Sequence, residues 1–216
     1  MPRRSLSAQG PDREAALEQY RRRASVYDWE LALFETLRID AIAALALRPG
    51  EVVIDAGCGT GLSLSGLQQG IGRQGRIVGI EQSPEMIEHA RQRVREQRAP
   101  HVRLICSPVE AAAFDEQADA ALFHFTHDIL RTPAAVDNVL RHLKPGARVV
   151  ATGLKWAAPG LAWPVNLFVL GAAWRSVTSL EGLAHPWSLL QKHLGPLRVE
   201  SLLGGAVYLA SGVVEA

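Results

Sequence analysis

A doubly wound α/β fold is predicted, with a mostly parallel sheet covered on both faces by helices. Three observations predict it. Short apolar, β-branched runs alternate with helical stretches from residue 52 to residue 153. The first run, Val52-Val53-Ile54-Asp55, enters a turn with glycines at 57, 59 and 61 and then a helical stretch. The chain closes on two extended runs, 197–203 and 206–214, joined by Gly204-Gly205, which reads as an antiparallel hairpin. At 216 residues the chain suits a single domain with one core.

The elements follow in order. Residues 1–11 are polar, contain Pro2, Gly10 and Pro11, and read as a disordered tail. Asp12 can cap a helix running to about Val26, with Ala15, Ala16, Leu17 and Tyr20 on one face and Arg21-Arg22-Arg23 on the other. Tyr27-Asp28-Trp29 interrupts it. A second helix from about Glu30 to Leu45 spaces Leu31, Phe34, Leu37, Ala41 and Leu45 for burial, and Arg48-Pro49-Gly50 ends it. A helix can open over Leu62–Gln69. The second strand is 76–81. Ser83-Pro84-Glu85 supplies a cap and a first-turn proline for a helix to about Glu96. Strands over 102–106 and 118–125, a helix from Pro133 to about Leu143 and a strand over 147–153 complete the alternation. The domain is thus expected to comprise cap helices (12–47), a core (48–155), an insertion (156–193) and the hairpin (194–216).

Composition narrows the function. The formal charge of +1 offers no bulk attraction for nucleic acid. Cys58 and Cys106 are too few for a disulfide framework and fall at positions expected to be buried, which reads as a reducing, cytoplasmic setting. Met1-Pro2-Arg3-Arg4-Ser5 lacks the apolar stretch of a signal peptide. The stretch from Trp156 to Trp174 contains no charged residue, but Pro159, Gly160, Pro164, Asn166 and Gly171 break it up. It reads either as a buried helix under the sheet edge or as an apolar cap over a substrate site in at most peripheral contact with a membrane.

The order of the glycine turn matters. A dinucleotide site uses G-x-G-x-x-G; here the pattern is D-x-G-x-G-x-G, from Asp55 to Gly61. A carboxylate at this turn repels a pyrophosphate and attracts an ammonium. The run Val52–Gly61 resembles the first motif of class I S-adenosylmethionine-dependent methyltransferases. From about Tyr20 to Val214 the chain is most similar to the ubiquinone/menaquinone C-methyltransferases and the short bacterial phospholipid or betaine-lipid N-methyltransferases. Tyr27-Asp28 and Leu140-Arg141-His142-Leu143-Lys144-Pro145-Gly146 carry that narrower resemblance.

The resemblance implies a Rossmann-like, seven-stranded sheet with N-terminal lid helices, binding S-adenosyl-L-methionine and releasing S-adenosyl-L-homocysteine. By that likeness Asp55 takes the cofactor's amino group, Gly57, Gly59 and Gly61 leave room for its methionine part, and Glu81 accepts the ribose hydroxyls. Gln82 and Met86 fall where relatives contact ribose and adenine, although Met86 reads equally as helix core. Val109 and Glu110 are the best candidates for the adenine, where Ser107-Pro108 departs from the family pattern. Tyr20 and Tyr27 would close over the methionine end.

His124 and His127 follow the fourth strand, at the crevice end of such a sheet, and are the candidate bases; His124 can instead pack beside the sulfonium and His127 be a surface or capping residue. Phe125, Trp156, Trp163 and Phe168 are candidates for the acceptor wall, and no metal site is expected. The implied function is methyl transfer to a small-molecule or lipid-like acceptor, with no nucleic acid partner. Another transfer from the same cofactor, or a non-catalytic cofactor-binding regulator, are the alternatives.

Overall fold

The structure is a computed structural model that describes residues 35–157, 165–167, 169–170 and 182–215. The expected tail 1–11 and the first cap helix with Tyr20 and Tyr27 lie outside these residues. The second cap helix is described from α1 (Glu35–Ala44) onward.

Seven strands form one sheet in the order β3-β2-β1-β4-β5-β7-β6. These are β1 (Val52–Ala56), β2 (Arg76–Glu81), β3 (Val102–Cys106), β4 (Ala118–His124), β5 (Leu143–Leu154), β6 (Arg198–Leu202) and β7 (Val207–Val213). β1 to β5 pair in parallel, whereas β7 runs antiparallel to both β5 and β6. The hairpin therefore does not simply extend the edge: its second strand inserts between β5 and β6. β5 begins earlier than its apolar run suggests, because Leu143 pairs with Ala118 before a register shift.

Helices α2 (Leu64–Ile71), α3 (Pro84–Glu96), α4 (His127–Leu130), α5 (Pro133–Arg141) and α6 (Ser188–Leu194) connect the strands. Alternate strand residues feed opposite faces. Ile54, Val78, Ala121 and Phe123 bury with Val136 and Val139 of α5 and Leu190 of α6. Val53, Ile77, Ala120 and Leu122 bury with Ala41 of α1 and Leu64 and Leu67 of α2. α6 thus belongs to the core, although it lies within the insertion expected to cap the substrate site. A third cluster unites Leu37, Leu154, Val169, Leu183, Ala206 and Val207 at the carboxyl end of the parallel strands. α3 starts as its sequence dictates: Ser83 Oγ accepts from the Met86 N–H at 3.2 Å, and proline stands in the first turn.

Cys58 is buried, but Cys106 is exposed, because β3 is the sheet's edge strand and Cys106 ends it. No helix among the described residues is long and apolar enough to cross a membrane.

Candidate functional site

Register assembles the site. Asp55 pairs with Gly79 on β2 and with Leu122 on β4. Side chains two residues apart share a face, so His124 stands on the same face as Asp55, one step nearer the carboxyl end. That face is covered by α1. Ala41 and Leu45 pack there, and Arg38, three and seven residues earlier, lies on the same helical stripe. Arg38, Asp55, Gly57, Gly59, His124 and Phe125 consequently line one cleft. Arg38 is only 3% exposed and also pairs with Glu35.

The turn after β1 is bolted to its neighbours. The N–H groups of Gly57 and Cys58 both donate to the Ile80 carbonyl, at 2.8 and 2.9 Å. Glu81 accepts from the Gly59 N–H at 3.1 Å through one carboxylate oxygen and from the Ser83 N–H at 2.8 Å through the other. Arg93 of α3 donates to the Thr60 carbonyl at 3.0 Å. Two of the three glycines answer to protein packing. A Cβ on Gly57, whose φ is +80°, would lie 2.5 Å from Thr126 Cγ2. A Cβ on Gly61 would lie 3.1 Å from that of Ala90, so this glycine lets the turn meet α3.

The electrostatics are unusual for an open cleft. Asp55 is 1% exposed, and its Oδ2 atom is buried without a hydrogen-bond partner. Burial, then the nearby Glu81 charge, pushes the Asp55 carboxyl up to about 7, with Arg38 pulling the other way. Burial also raises Glu81, against the pull of its backbone donors. The Cys58 thiol is raised by burial and by Asp55, so it stays protonated. Both ring nitrogens of His124 are buried without a partner, and burial with the Arg38 charge pushes its pKa down to about 3. Its ring meets that of Phe125 edge-on at 4.9 Å. Phe125 has φ +56°, a backbone setting that a bulky residue adopts only under constraint.

The other sequence candidates divide. Glu81 stands directly behind the glycine turn, and Gln82 is half-buried beside it. Met86 is buried in the first turn of α3. Val109 is buried and its carbonyl accepts from Asn138 Nδ2 at 2.6 Å, while Glu110 is exposed; neither lines the cleft. His127 is buried at the start of α4 rather than at the surface. Phe125 and Trp156 both pack against the Leu154–Val207 cluster, which brings two acceptor-wall candidates together. Trp163 and Phe168 lie outside the described residues. Among the described residues, no group of three His, Cys, Asp or Glu is placed to hold a metal ion.

Arg38 is the residue that the sequence does not single out. Its signal is a cation placed three and seven positions before buried Ala41 and Leu45, where amphipathic spacing asks for an apolar side chain.

Comparison with known proteins agrees with this frame. Residues 53–146 match the family model described as a methyltransferase domain. An uncharacterized 37.1 kDa protein in transposon Tn4556 of Streptomyces fradiae is 34% identical over 150 residues, which is 67% of this chain and 41% of that protein. A 2-phytyl-1,4-naphtoquinone methyltransferase of Trichormus variabilis is 30% identical over 111 residues, 50% of this chain and 48% of that one. The chain therefore spans less than half the length of either relative. Among solved structures, the N-methyltransferase NodS of Bradyrhizobium japonicum in complex with S-adenosyl-L-homocysteine superposes with a TM-score of 0.69 at 18% identity, covering 93% of this chain and 99% of that chain. At that identity the likeness is one of fold.

Proposed function

We propose that the protein, whose residues 53–146 match the family model of a methyltransferase domain, transfers a methyl group from S-adenosyl-L-methionine to a small-molecule or lipid-like acceptor of apolar character. One observation carries the reading. A buried carboxylate, Asp55, with an unpartnered oxygen, and a buried guanidinium, Arg38, line the same cleft at the glycine turn. Together they present the two charges that an α-amino acid end requires, one for its ammonium and one for its carboxylate. A pyrophosphate would find only half of this pair favourable.

The cofactor's sulfonium supplies an already activated methyl group, so the protein's task is chiefly to position and to exclude water. Gly59 holds a left-handed φ of +55° in the turn, and Glu81 behind it retains lone pairs for ribose hydroxyls beyond its two backbone bonds. The S. fradiae relative is uncharacterized, but the naphtoquinone enzyme supports an acceptor with a large apolar body. Phe125 and Trp156, set against the Leu154–Val207 cluster, offer it a wall.

His124 bears on how the acceptor is handled. A ring whose pKa is pushed down to about 3 is neutral at physiological pH, so it accepts a hydrogen bond without adding positive charge beside a sulfonium. It is a weak base for the same reason. It therefore orients a donor group on the acceptor instead of carrying its proton away. Replacing His124 and His127 together by glutamine is expected to lower turnover by less than about tenfold, with unchanged S-adenosyl-L-homocysteine affinity; a fall of roughly 100-fold or more would restore general-base catalysis.

The test of the function is direct. The protein is titrated with S-adenosyl-L-homocysteine by calorimetry, then incubated with methyl-labelled cofactor and cell extract. Label in organic-extractable small molecules or lipid supports the proposal. Label only in protein or nucleic acid overturns the acceptor class. Binding without any transfer marks a regulator, and transfer of the aminocarboxypropyl group marks the alternative chemistry.

A further inference from the structure

Thr126, just beyond the carboxyl end of β4, carries a polar group that the function proposed above leaves unused. Its Oγ1 atom is buried and has no hydrogen-bond partner. The residue stands directly before α4, where threonine commonly caps a helix, but its side chain makes no capping bond. Its backbone serves that turn instead: the Thr126 carbonyl accepts from the Leu130 N–H at 3.1 Å. A buried hydroxyl left without a partner destabilises the fold, so its reason lies outside the folded chain.

Strain and packing hold the residue in this place. Phe125 keeps its φ of +56° while its N–H donates to the Thr152 carbonyl at 2.8 Å, and the chain leaves β4 at that point. Thr126 then packs on the glycine turn that follows β1. A Cβ on Gly57 would lie 2.5 Å from Thr126 Cγ2, 2.8 Å from Ile129 Cδ1 and 3.5 Å from Thr126 Cβ. The methyl group of Thr126 therefore fills the space that Gly57 leaves open. Valine would offer the same methyl group without stranding a hydroxyl, so packing alone does not account for threonine. A strained backbone and an orphaned hydroxyl at adjacent residues mark a ligand-facing position.

We infer that the Thr126 hydroxyl faces the cofactor's sulfonium and biases the site toward S-adenosyl-L-methionine over S-adenosyl-L-homocysteine. The inference rests on the function proposed above, in which Asp55 and Arg38 take the amino-acid end and Glu81 takes the ribose. The sulfur joins these two parts. The turn between them runs from Asp55 to Gly59, whose N–H donates to Glu81 at 3.1 Å, and Gly57 stands at its middle. Gly57 lines the cleft together with His124 and Phe125, the two residues that lead to Thr126. Thr126 touches the turn at that glycine. A hydroxyl oxygen turns its lone pairs toward a neighbouring cation, and in a buried site that attraction is weakly screened. Sulfur carries the charge only while the methyl group is attached. The neutral sulfur of the product gains nothing comparable, so the hydroxyl discriminates between the two forms.

The experiment is calorimetric titration with S-adenosyl-L-methionine and, separately, with S-adenosyl-L-homocysteine at pH 8, where the Asp55 carboxyl is ionised. It uses the full chain and its variants Thr126→Val, Thr126→Ser and Thr126→Ala. Wild type against Thr126→Val, and Thr126→Ser against Thr126→Ala, are pairs that differ chiefly by the hydroxyl. In both pairs its loss should lower the ratio of S-adenosyl-L-methionine to S-adenosyl-L-homocysteine affinity by about five- to tenfold. Affinity of Thr126→Val for S-adenosyl-L-homocysteine should stay within about twofold of the wild type. A thermal melt without cofactor should find Thr126→Val at least as stable, because the folded chain loses no hydrogen bond. A residue that only packs would alter both affinities alike, so an unchanged ratio in either pair overturns the inference. So does a Thr126→Val that melts well below the wild type, since the hydroxyl then serves the fold. A wild type that binds neither form refutes the proposed function as well. One that binds both, with a ratio indifferent to the hydroxyl, refutes this inference alone.

Discussion

Asp55→Asn is expected to make the protein more stable at pH 8 and to weaken its hold on the cofactor. The native carboxyl titrates at about 7, against 3.8 for the free side chain. Between those values the folded state keeps a proton that the unfolded chain has released. Stability therefore falls as pH rises from about 4 to about 7, and the whole penalty stands above pH 7. A rise of that size corresponds to about 4 kcal/mol; an asparagine amide left partly unsatisfied in the same place returns part of that, for a net gain of about 2 kcal/mol. Urea unfolding at pH 4 and pH 8 checks it: the variant should gain only at the higher pH. Equal effects at both pH values would mean that Asp55 carries no buried charge.

The same titration controls binding. With Asp55 holding the cofactor's ammonium as proposed, only the ionised carboxylate binds it, so wild-type affinity for S-adenosyl-L-homocysteine should climb about tenfold per pH unit up to pH 7 and then level off. Asp55→Asn should flatten that profile and weaken binding by at least about 2 kcal/mol. On the proposed reading, the buried acid is a stability cost retained for cofactor binding.

Glu81→Ala should damage fold and site together. Its carboxylate is the acceptor for the Gly59 and Ser83 N–H groups, which hold the glycine turn and the start of α3. Removing it strands two donors in a buried setting, at a cost of about 1–3 kcal/mol in stability. Loss of the proposed ribose contact should weaken S-adenosyl-L-methionine and S-adenosyl-L-homocysteine alike by a further ~1–3 kcal/mol. Glu81→Gln keeps the volume and removes the charge that helps raise Asp55. Its affinity profile should therefore shift to lower pH, with a midpoint below that of the wild type. Calorimetry across pH reads both effects, and an unchanged midpoint in Glu81→Gln would uncouple the two carboxylates.

How much of this was legible depends on the range of the interactions. β2, α3 and β3 lie where the sequence places them, since caps, proline and β-branched runs act within one turn or strand. The hairpin was legible for the same reason, but the insertion of β7 between β5 and β6 was not. Nothing local distinguishes a strand that joins an edge from one that enters the sheet. The early start of β5 at Leu143 likewise exists only because Ala118 is there to pair with it.

The site divides in the same way. The sequence by itself determined that a carboxylate and three glycines stand between the first strand and its helix, and that pattern selects an amino-acid-bearing cofactor over a pyrophosphate. Tertiary structure alone decided what surrounds them. Arg38 lines the cleft with Asp55 because α1 packs on the face of β1 that Asp55 shares, seventeen residues away in the chain. Gly57 and Gly61 are needed as much by Thr126 and Ala90 as by any ligand. His124 is a neutral ring and not a ready base because the fold buries it beside that arginine. Residue type and spacing set which chemistry is available, whereas burial and charge across the sheet set which protonation state each group holds, and those depend on neighbours that no local pattern records.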